Sequence, residues 1–232
     1  MKKMIFISAS LVILASFLSG FYMIAEDQVA IFTKVYNDVQ VKPEKGSWYA
    51  AKRAGALQNG DNIKTGDQSN AVVKFMDGSI LRIRPKSELT VFSERNGSKV
   101  DKSISVDVGT IGFDVRKRKD EAFRFTSPTS VASIRGTDGG YSTDDAADVL
   151  TILTGLAELE NKVTGKKVEV KSGETGELNK KTGEISFRKS TESDLNNANS
   201  ANSESSGKSH TIKIEFKMED QSTKNLEIQY EE

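Results

Sequence analysis

Between about residue 27 and residue 188, apolar side chains recur at every second position, in short runs broken by turn residues. Val29 and Ile31 alternate this way, as do Val39 and Val41, Val73 and Phe75, Leu81 and Ile83, and Leu89 and Val91. The pattern continues through Ile104, Val106 and Val108, through Ile111, Phe113 and Val115, and through Phe123 and Phe125. A later set comprises Val149, Thr151 and Leu153, Ala157 and Leu159, Val168 and Val170, and Ile185 and Phe187. Successive side chains of a strand face opposite ways, so this spacing predicts strands buried on one face. Asp77-Gly78, Asn96-Gly97, Thr164-Gly165, Glu174-Thr175-Gly176 and Thr182-Gly183 supply the turns between them. No window beyond the first residues carries a helical stripe. The expected fold is all-β, a compact domain of many short strands built as a sandwich or roll.

One hairpin is specified closely. A three-residue loop Met76-Asp77-Gly78 places Val73 opposite Leu81 and Ala71 opposite Ile83, whereas a two-residue loop would put Arg82 on the apolar face. Gly78 is therefore expected at positive φ.

Composition shifts after this span. Residues 189–209, KSTESDLNNANSANSESSGKS, hold Leu195 as their only large apolar residue and read as a Ser/Asn-rich flexible linker. Beyond it Ile212, Ile214, Phe216 and Met218 alternate, as do Leu226, Ile228 and Tyr230, which predicts a strand pair over residues 210–232. An isolated pair is marginal in water, so it is expected to dock on the main domain, a second copy or a partner. At the other end Lys2 and Lys3 precede an uncharged run of 22 residues, Met4 to Ala25, before Glu26 and Asp27. As a helix that run spans about 33 Å, enough to cross a bilayer. Residues 1–26 thus read as a signal peptide or a retained membrane anchor, with residues 27–188 exported to the periplasm or cell envelope in either case.

The 33 basic residues balance 33 acidic ones, so no global field favours nucleic acid. Cysteine is absent, which excludes disulfides, thiolate metal sites and cysteine nucleophiles. A single histidine, His210, leaves almost no histidine-based hydrolase chemistry.

Three ordered motifs carry a resemblance. Leu57-Gln58-Asn59-Gly60-Asp61-Asn62-Ile63-Lys64-Thr65-Gly66, then Ser69-Asn70-Ala71 and Phe75-Met76-Asp77-Gly78-Ser79, resemble the opening pattern of the FecR domain family. Ser127-Pro128 followed by Ile134-Arg135-Gly136-Thr137 is similar to that family's second element, and Leu150 to Glu160 to its third. The resemblance covers roughly residues 37–180 and implies an exported all-β interaction domain in sensing or signalling. The founding members are transducers with a cytoplasmic anti-sigma domain ahead of the membrane helix. Here Met1 to Lys3 alone precede the apolar run, so the sigma-binding part is not expected to carry over. Gly139 stands where the family has a large apolar residue, and Gly140 follows it, so this loop is expected to be more mobile than usual.

The candidate sites follow from residue chemistry. Asp61, Asn62, Thr65, Asp67 and Asn70 could offer oxygens to Ca²⁺, but their spacing misses the calcium-loop pattern. Gly60, Asp61, Gly66, Asp77 and Gly78 therefore read as a structural turn motif, and no metal or cofactor is expected. Arg135, Gly136, Thr137 and Asp138 form a candidate ligand or partner loop, since arginine makes bidentate pairs with carboxylates or phosphates. Trp48 and Tyr49 are candidate stacking residues. Asp144, Asp145 and Asp148 lie between strands and read as a solvated turn, not an acid pair, and Arg116 to Lys119 as a solvated hairpin tip. No catalytic set is found. The expected function is a non-enzymatic module that binds an envelope protein, with binding of peptidoglycan or another polysaccharide as the alternative and membrane contact only through the amino-terminal segment.

Overall fold

A computed structural model describes residues 28–97, 99–119, 121–203, 209–217 and 223–231, the last two runs by their backbone. The leader expected over residues 1–26 lies outside the described residues. Among the described residues no helix is long and apolar enough to cross a membrane.

The alternating runs become strands. β1 (Gln28–Tyr36), β2 (Val39–Lys42), β3 (Tyr49–Ala50), β4 (Ala56–Gln58), β5 (Asp61–Thr65), β6 (Asn70–Phe75), β7 (Ile80–Ile83) and β8 (Glu88–Asn96) precede a long β9 (Lys99–Val115). It is followed by β10 (Phe123–Thr126), β11 (Ser130–Ile134), β12 (Thr137–Thr143), β13 (Ala147–Thr154), β14 (Leu156–Asn161), β15 (Lys167–Lys171), β16 (Glu174–Asn179) and β17 (Ile185–Lys189). Two layers result. The front layer runs β4-β1-β6-β7-β9-β12-β13-β16-β17. The back layer runs β3-β2-β5-β8-β9-β10-β11-β14-β15. All of these pairs are antiparallel except β9 with β10.

β9 belongs to both layers, and its sequence shows where it crosses. Ile104 and Val106 are buried at even positions against the back layer, while Ile111, Phe113 and Val115 are buried at odd positions in the front layer. The parity switches across Val108 to Thr110, and Val108 is accordingly exposed at the corner. Gly109 makes the crossing at φ +119°, where a Cβ would meet the Ser87 side chain at 2.2 Å. Ser87 Oγ accepts the Thr110 amide at 3.1 Å and locks the corner. A residue with a Cβ fits neither the dihedral nor the space.

Five rings link the layers. Phe75 meets Phe123 edge to face at 5.2 Å, Phe123 meets Phe125 at 5.5 Å, and Phe125 lies against Phe113 at 4.9 Å and stacks on Tyr141 at 5.7 Å. Such contacts contribute about 0.5–1.5 kcal/mol each beyond area burial.

The β6–β7 hairpin has the expected register, Ala71 opposite Ile83 and Val73 opposite Leu81, with Gly78 at φ +88°. Three strands differ from the alternation, and in one of them, β17, Ile185 is only half-buried and Phe187 is exposed. In β1 a register shift between Gln28 and Ala30 turns Ala30 and Phe32 inward with Val29, leaving Ile31 half-buried. In β13 the inward residues are Leu150 and Ile152, not Val149 and Leu153, because Asp148 takes the inward place before them.

Over residues 189–203 the Ser/Asn-rich segment differs from the flexible linker its composition suggests. It contains a helix, α1 (Glu192–Asn202), docked on the front layer. A capping box starts it. Thr191 Oγ1 accepts the Asp194 amide at 3.2 Å, and the Asp194 carboxylate accepts the Thr191 amide at 2.7 Å while pairing with Arg188. Low hydrophobicity is offset by closeness, because α1 meets the sheet backbone to backbone. Gly112 and Gly140 are cross-strand partners, and a Cβ would lie 2.2 Å from the Ala201 carbonyl at Gly112 and 3.2 Å from Ala198 Cα at Gly140. Asn202 Nδ2 then donates to Asp138 Oδ1 at 2.8 Å and to the Gly139 carbonyl at 2.6 Å. Gly139 and Gly140 are therefore buried residues of β12, not a mobile loop.

β18 (Ser209–Lys217) and β19 (Thr223–Glu231) form a separate antiparallel pair, with Ile212 opposite Ile228 and Ile214 opposite Leu226.

Gly112→Val is expected to undock α1 and leave the sandwich intact. Because α1 buries only Ala198 and Ala201, its docking is a local equilibrium. Proteolysis within residues 190–203 should accelerate by about tenfold or more with the far-ultraviolet β signal retained. Unchanged cleavage would show that the glycine floor does not hold the helix.

Candidate functional site

Most of the polar cluster at residues 59–70 is committed to separate partners, while the side-chain oxygens of Asn62 and Asn70 are buried without one. The Asp61 carboxylate, buried in β5, accepts the Gln58 amide at 2.9 Å, and Thr65 Oγ1 donates to the Arg84 carbonyl at 2.7 Å. Asp67 pairs with Lys86 at 3.2 Å, and Asn62 Nδ2 donates to Thr90 Oγ1 at 3.1 Å. Gly60 turns at φ +85°, and the Gly66 amide donates to the Asp38 carbonyl at 2.9 Å. Among the described residues no group of three or more acidic or histidine side chains could hold a metal ion.

Asp77 does more than turn the chain. Its Oδ1 accepts the Ser79 amide at 2.8 Å within the β6–β7 loop, and its Oδ2 meets Lys102 Nζ at 2.9 Å. Lys102 lies on β9 in phase with Ile104 and Val106, so its side chain runs inward and is only 5% exposed. The ammonium also reaches Glu121 Oε2 at 3.5 Å and the Val100 carbonyl at 3.1 Å, which uses its three protons. Burial pushes the Asp77 carboxyl up, but Lys102 and the Ser79 amide outweigh it and hold the carboxyl below its ordinary value. A fully partnered ammonium is a poor nucleophile, so this buried pair reads as a fixed charge centre.

Charge of one sign collects around it. A cavity of about 230 Å³ is bounded by Asp77, Lys102 and Glu121 together with Met76, Arg95 and Arg118. Arg118 Nη2 donates to the Asp77 carbonyl at 3.1 Å, which holds the 116–119 segment over the opening. On the other side of the pair a narrower crevice reaches Arg116 and Arg135. Five cationic side chains thus surround two carboxylates, and this rim suits a carboxylate-bearing ligand. Within the exposed tip at 116–119, Arg116 and Arg118 therefore also border these cavities.

The structure splits the Arg135–Asp138 loop. Arg135 is exposed on the rim. Gly136 turns at φ +63° against Lys117, and Thr137 Oγ1 is buried and donates to the Leu156 carbonyl at 2.8 Å. Asp138 faces α1 through Asn202. Burial, then Asp114, raise its carboxyl above the usual value, against the pull of Arg82 and the Gly139 amide. Only Arg135 of the four is placed to meet a partner.

A second buried charge braces the C-terminal half. Asp148 is fully buried, not part of a solvated turn, while Asp144 and Asp145 are exposed beside it. Ser127 Oγ and Thr129 Oγ1 donate to its Oδ2 at 2.6 Å each, and Thr143 Oγ1 to its Oδ1 at 2.6 Å. Lys180 Nζ approaches Oδ1 at 3.1 Å, and Ser130 Oγ continues the network to the Tyr141 hydroxyl at 3.1 Å. The Ser127-Pro128 motif is thereby stapled to β12, to β13 and to Lys180 just after β16. Burial pushes the Asp148 carboxyl up, and the hydroxyl donors more than reverse this, so it stays below the ordinary carboxylate range. Sequence reasoning missed Lys102 and Asp148. The signal was present in both: a charged residue in phase with inward apolar neighbours.

Trp48 and Tyr49 remain exposed, at 39% and 48%. The Tyr49 hydroxyl is pushed up, first by burial and then by Asp61.

Comparison with known proteins adds the following. Residues 61–158 match the sequence pattern of the family described as FecR protein. No curated protein matches the chain. Two crystal structures of a candidate anti-sigma factor from Parabacteroides distasonis ATCC 8503, at 2.50 and 1.65 Å, superpose with TM-scores of 0.50 at 13% and 14% identity. The superposition covers 58% of this chain and 62% of those chains, so this chain spans less than two thirds of their length. At that identity the likeness is one of fold.

Asp148→Ala is expected to cost about 3–5 kcal/mol at neutral pH, since it leaves Lys180 and three hydroxyls without their acceptor. The folded-state carboxyl is depressed relative to an unfolded value of about 3.9, so its stabilisation is complete above that value. It is lost as pH falls through the folded-state value. Urea unfolding should show the gap between wild type and variant constant from about pH 8 to pH 5 and closing below about pH 4. A gap independent of pH would contradict the assignment.

Proposed function

We propose that the chain, whose residues 61–158 match the FecR family pattern, is a non-enzymatic sensor or signalling module of the cell envelope, acting by binding another envelope protein. Its segment 1–26 directs export and is either cleaved or kept as a single anchor. The partner is held at the rim around Lys102, where the surplus of cations selects an acidic segment. That surplus is the observation that carries the reading. Arg135 and Arg118 supply exposed, bidentate-capable contacts, and the Asp77–Lys102–Glu121 group fixes the rim beneath them. The description of the superposable P. distasonis protein as a candidate anti-sigma factor favours a regulatory partner. The β18–β19 pair offers a second contact by adding its strands to a partner's sheet.

The test is cross-linking of the tagged full-length chain in intact cells, beside an Arg118→Glu/Arg135→Glu variant and a chain ending at Ser203, which keeps α1. Wild type should fractionate with the envelope and recover a discrete protein partner. The double charge reversal should weaken that recovery by roughly tenfold, with the melting temperature unchanged, because both side chains are exposed. Equal recovery would remove the rim from the account, and a cytosolic protein would remove the envelope.

A further inference from the structure

Trp48 stands on the outer face of the back layer, just before β3, and is not part of the core. Two cavities adjoin its side chain. One, of about 280 Å³, is lined by Gln40 and Lys64. The other, of about 220 Å³, is lined by Lys42, Asn62 and Glu88, and Trp48 borders both.

The floor is set by strand register. Gln40 pairs with Lys64 and Lys64 with Glu88 across β2, β5 and β8, and Lys42 pairs with Asn62 in the next row. These are the outward positions of strands whose inward positions are Val41, Ile63 and Leu89. The result is a flat polar platform with an aromatic ring standing on it. Such a ring offers a large rigid apolar surface at low entropic cost, and amide and charged groups around it supply hydrogen bonds in both senses.

Charge on this platform nearly cancels, in contrast to the cationic rim. Lys42 and Lys64 are set against Asp38, Glu44 and Glu88, and Lys64 already lies 3.7 Å from Glu88. An ionic polymer gains little here. Asn62 lines the second cavity, with its Nδ2 held by Thr90 and its Oδ1 buried without a partner behind the surface.

We infer that Trp48 marks a binding site for a neutral linear glycan, with one sugar ring stacked on the indole and its neighbours seated in the adjoining cavities. Gln40, Asn62 and Lys64 contact the sugar hydroxyl or acetamido groups. The site shares no lining residue with the rim around Lys102. It therefore stands or falls apart from the proposed protein partner.

The experiment is calorimetric titration of the full chain with cellohexaose, laminarihexaose and chitohexaose, and with oligogalacturonate as the anionic counterpart. Wild type should bind at least one neutral oligomer in the micromolar to low millimolar range and more tightly than oligogalacturonate. Trp48→Ala should weaken that binding at least tenfold with an unchanged melting temperature, while Arg135→Glu leaves it intact. Absence of binding to all three neutral oligomers, a preference for oligogalacturonate, or equal binding by Trp48→Ala would each overturn the inference.

Discussion

Everything in this fold hangs on one strand that belongs to two sheets. β9 lies between β7 and β12 in the front layer and between β8 and β10 in the back layer. The strands before it and after it are therefore joined by backbone hydrogen bonds through a single segment. The crossing works because Gly109 tolerates a dihedral and a contact with Ser87 that no side chain would. An all-β topology of this kind depends on non-local pairing, so a shared central strand concentrates that pairing in one element.

The buried charges sit where the layers need fastening. Lys102, on the back-layer half of β9, reaches Asp77 in the β6–β7 turn of the front layer. Asp148 in β13 gathers hydroxyls from the β10–β11 turn and from β12. Both tie one layer to the other. A buried ion pair is a costly fastener, but it tolerates no change of register, because a slip strands a charge in the interior. The Lys102 fastener also lends fixed charge to an exposed rim, so stability and recognition share residues there. The platform at Trp48 takes nothing from the core and is free to vary in chemistry.

Much of this was legible in the sequence, for physical reasons that particular residues make plain. The β6–β7 register follows from keeping Arg82 off the apolar face, and the β9 crossing is written in the change of phase between Val106 and Ile111. What stayed hidden was hidden by composition. α1 carries almost no apolar signal, since its docking depends on the absence of side chains at Gly112 and Gly140 in strands far away in sequence. β13 was read on the wrong face because Asp148 resembles a solvated turn residue until its donors are brought to it by tertiary structure. Arg135 was visible as a candidate, but its neighbours across the rim come from four other segments.

The most direct measurement is native-state hydrogen exchange resolved along β9. If β9 is the shared spine, the amides of residues 104–113 on both sides of Gly109 exchange only through global unfolding, with one common free energy. The paired amides of β7, β8, β10 and β12 then rise toward the same value. Two distinct values on either side of Gly109, each matching its own layer, would contradict the account, because the layers would then be two units opening independently.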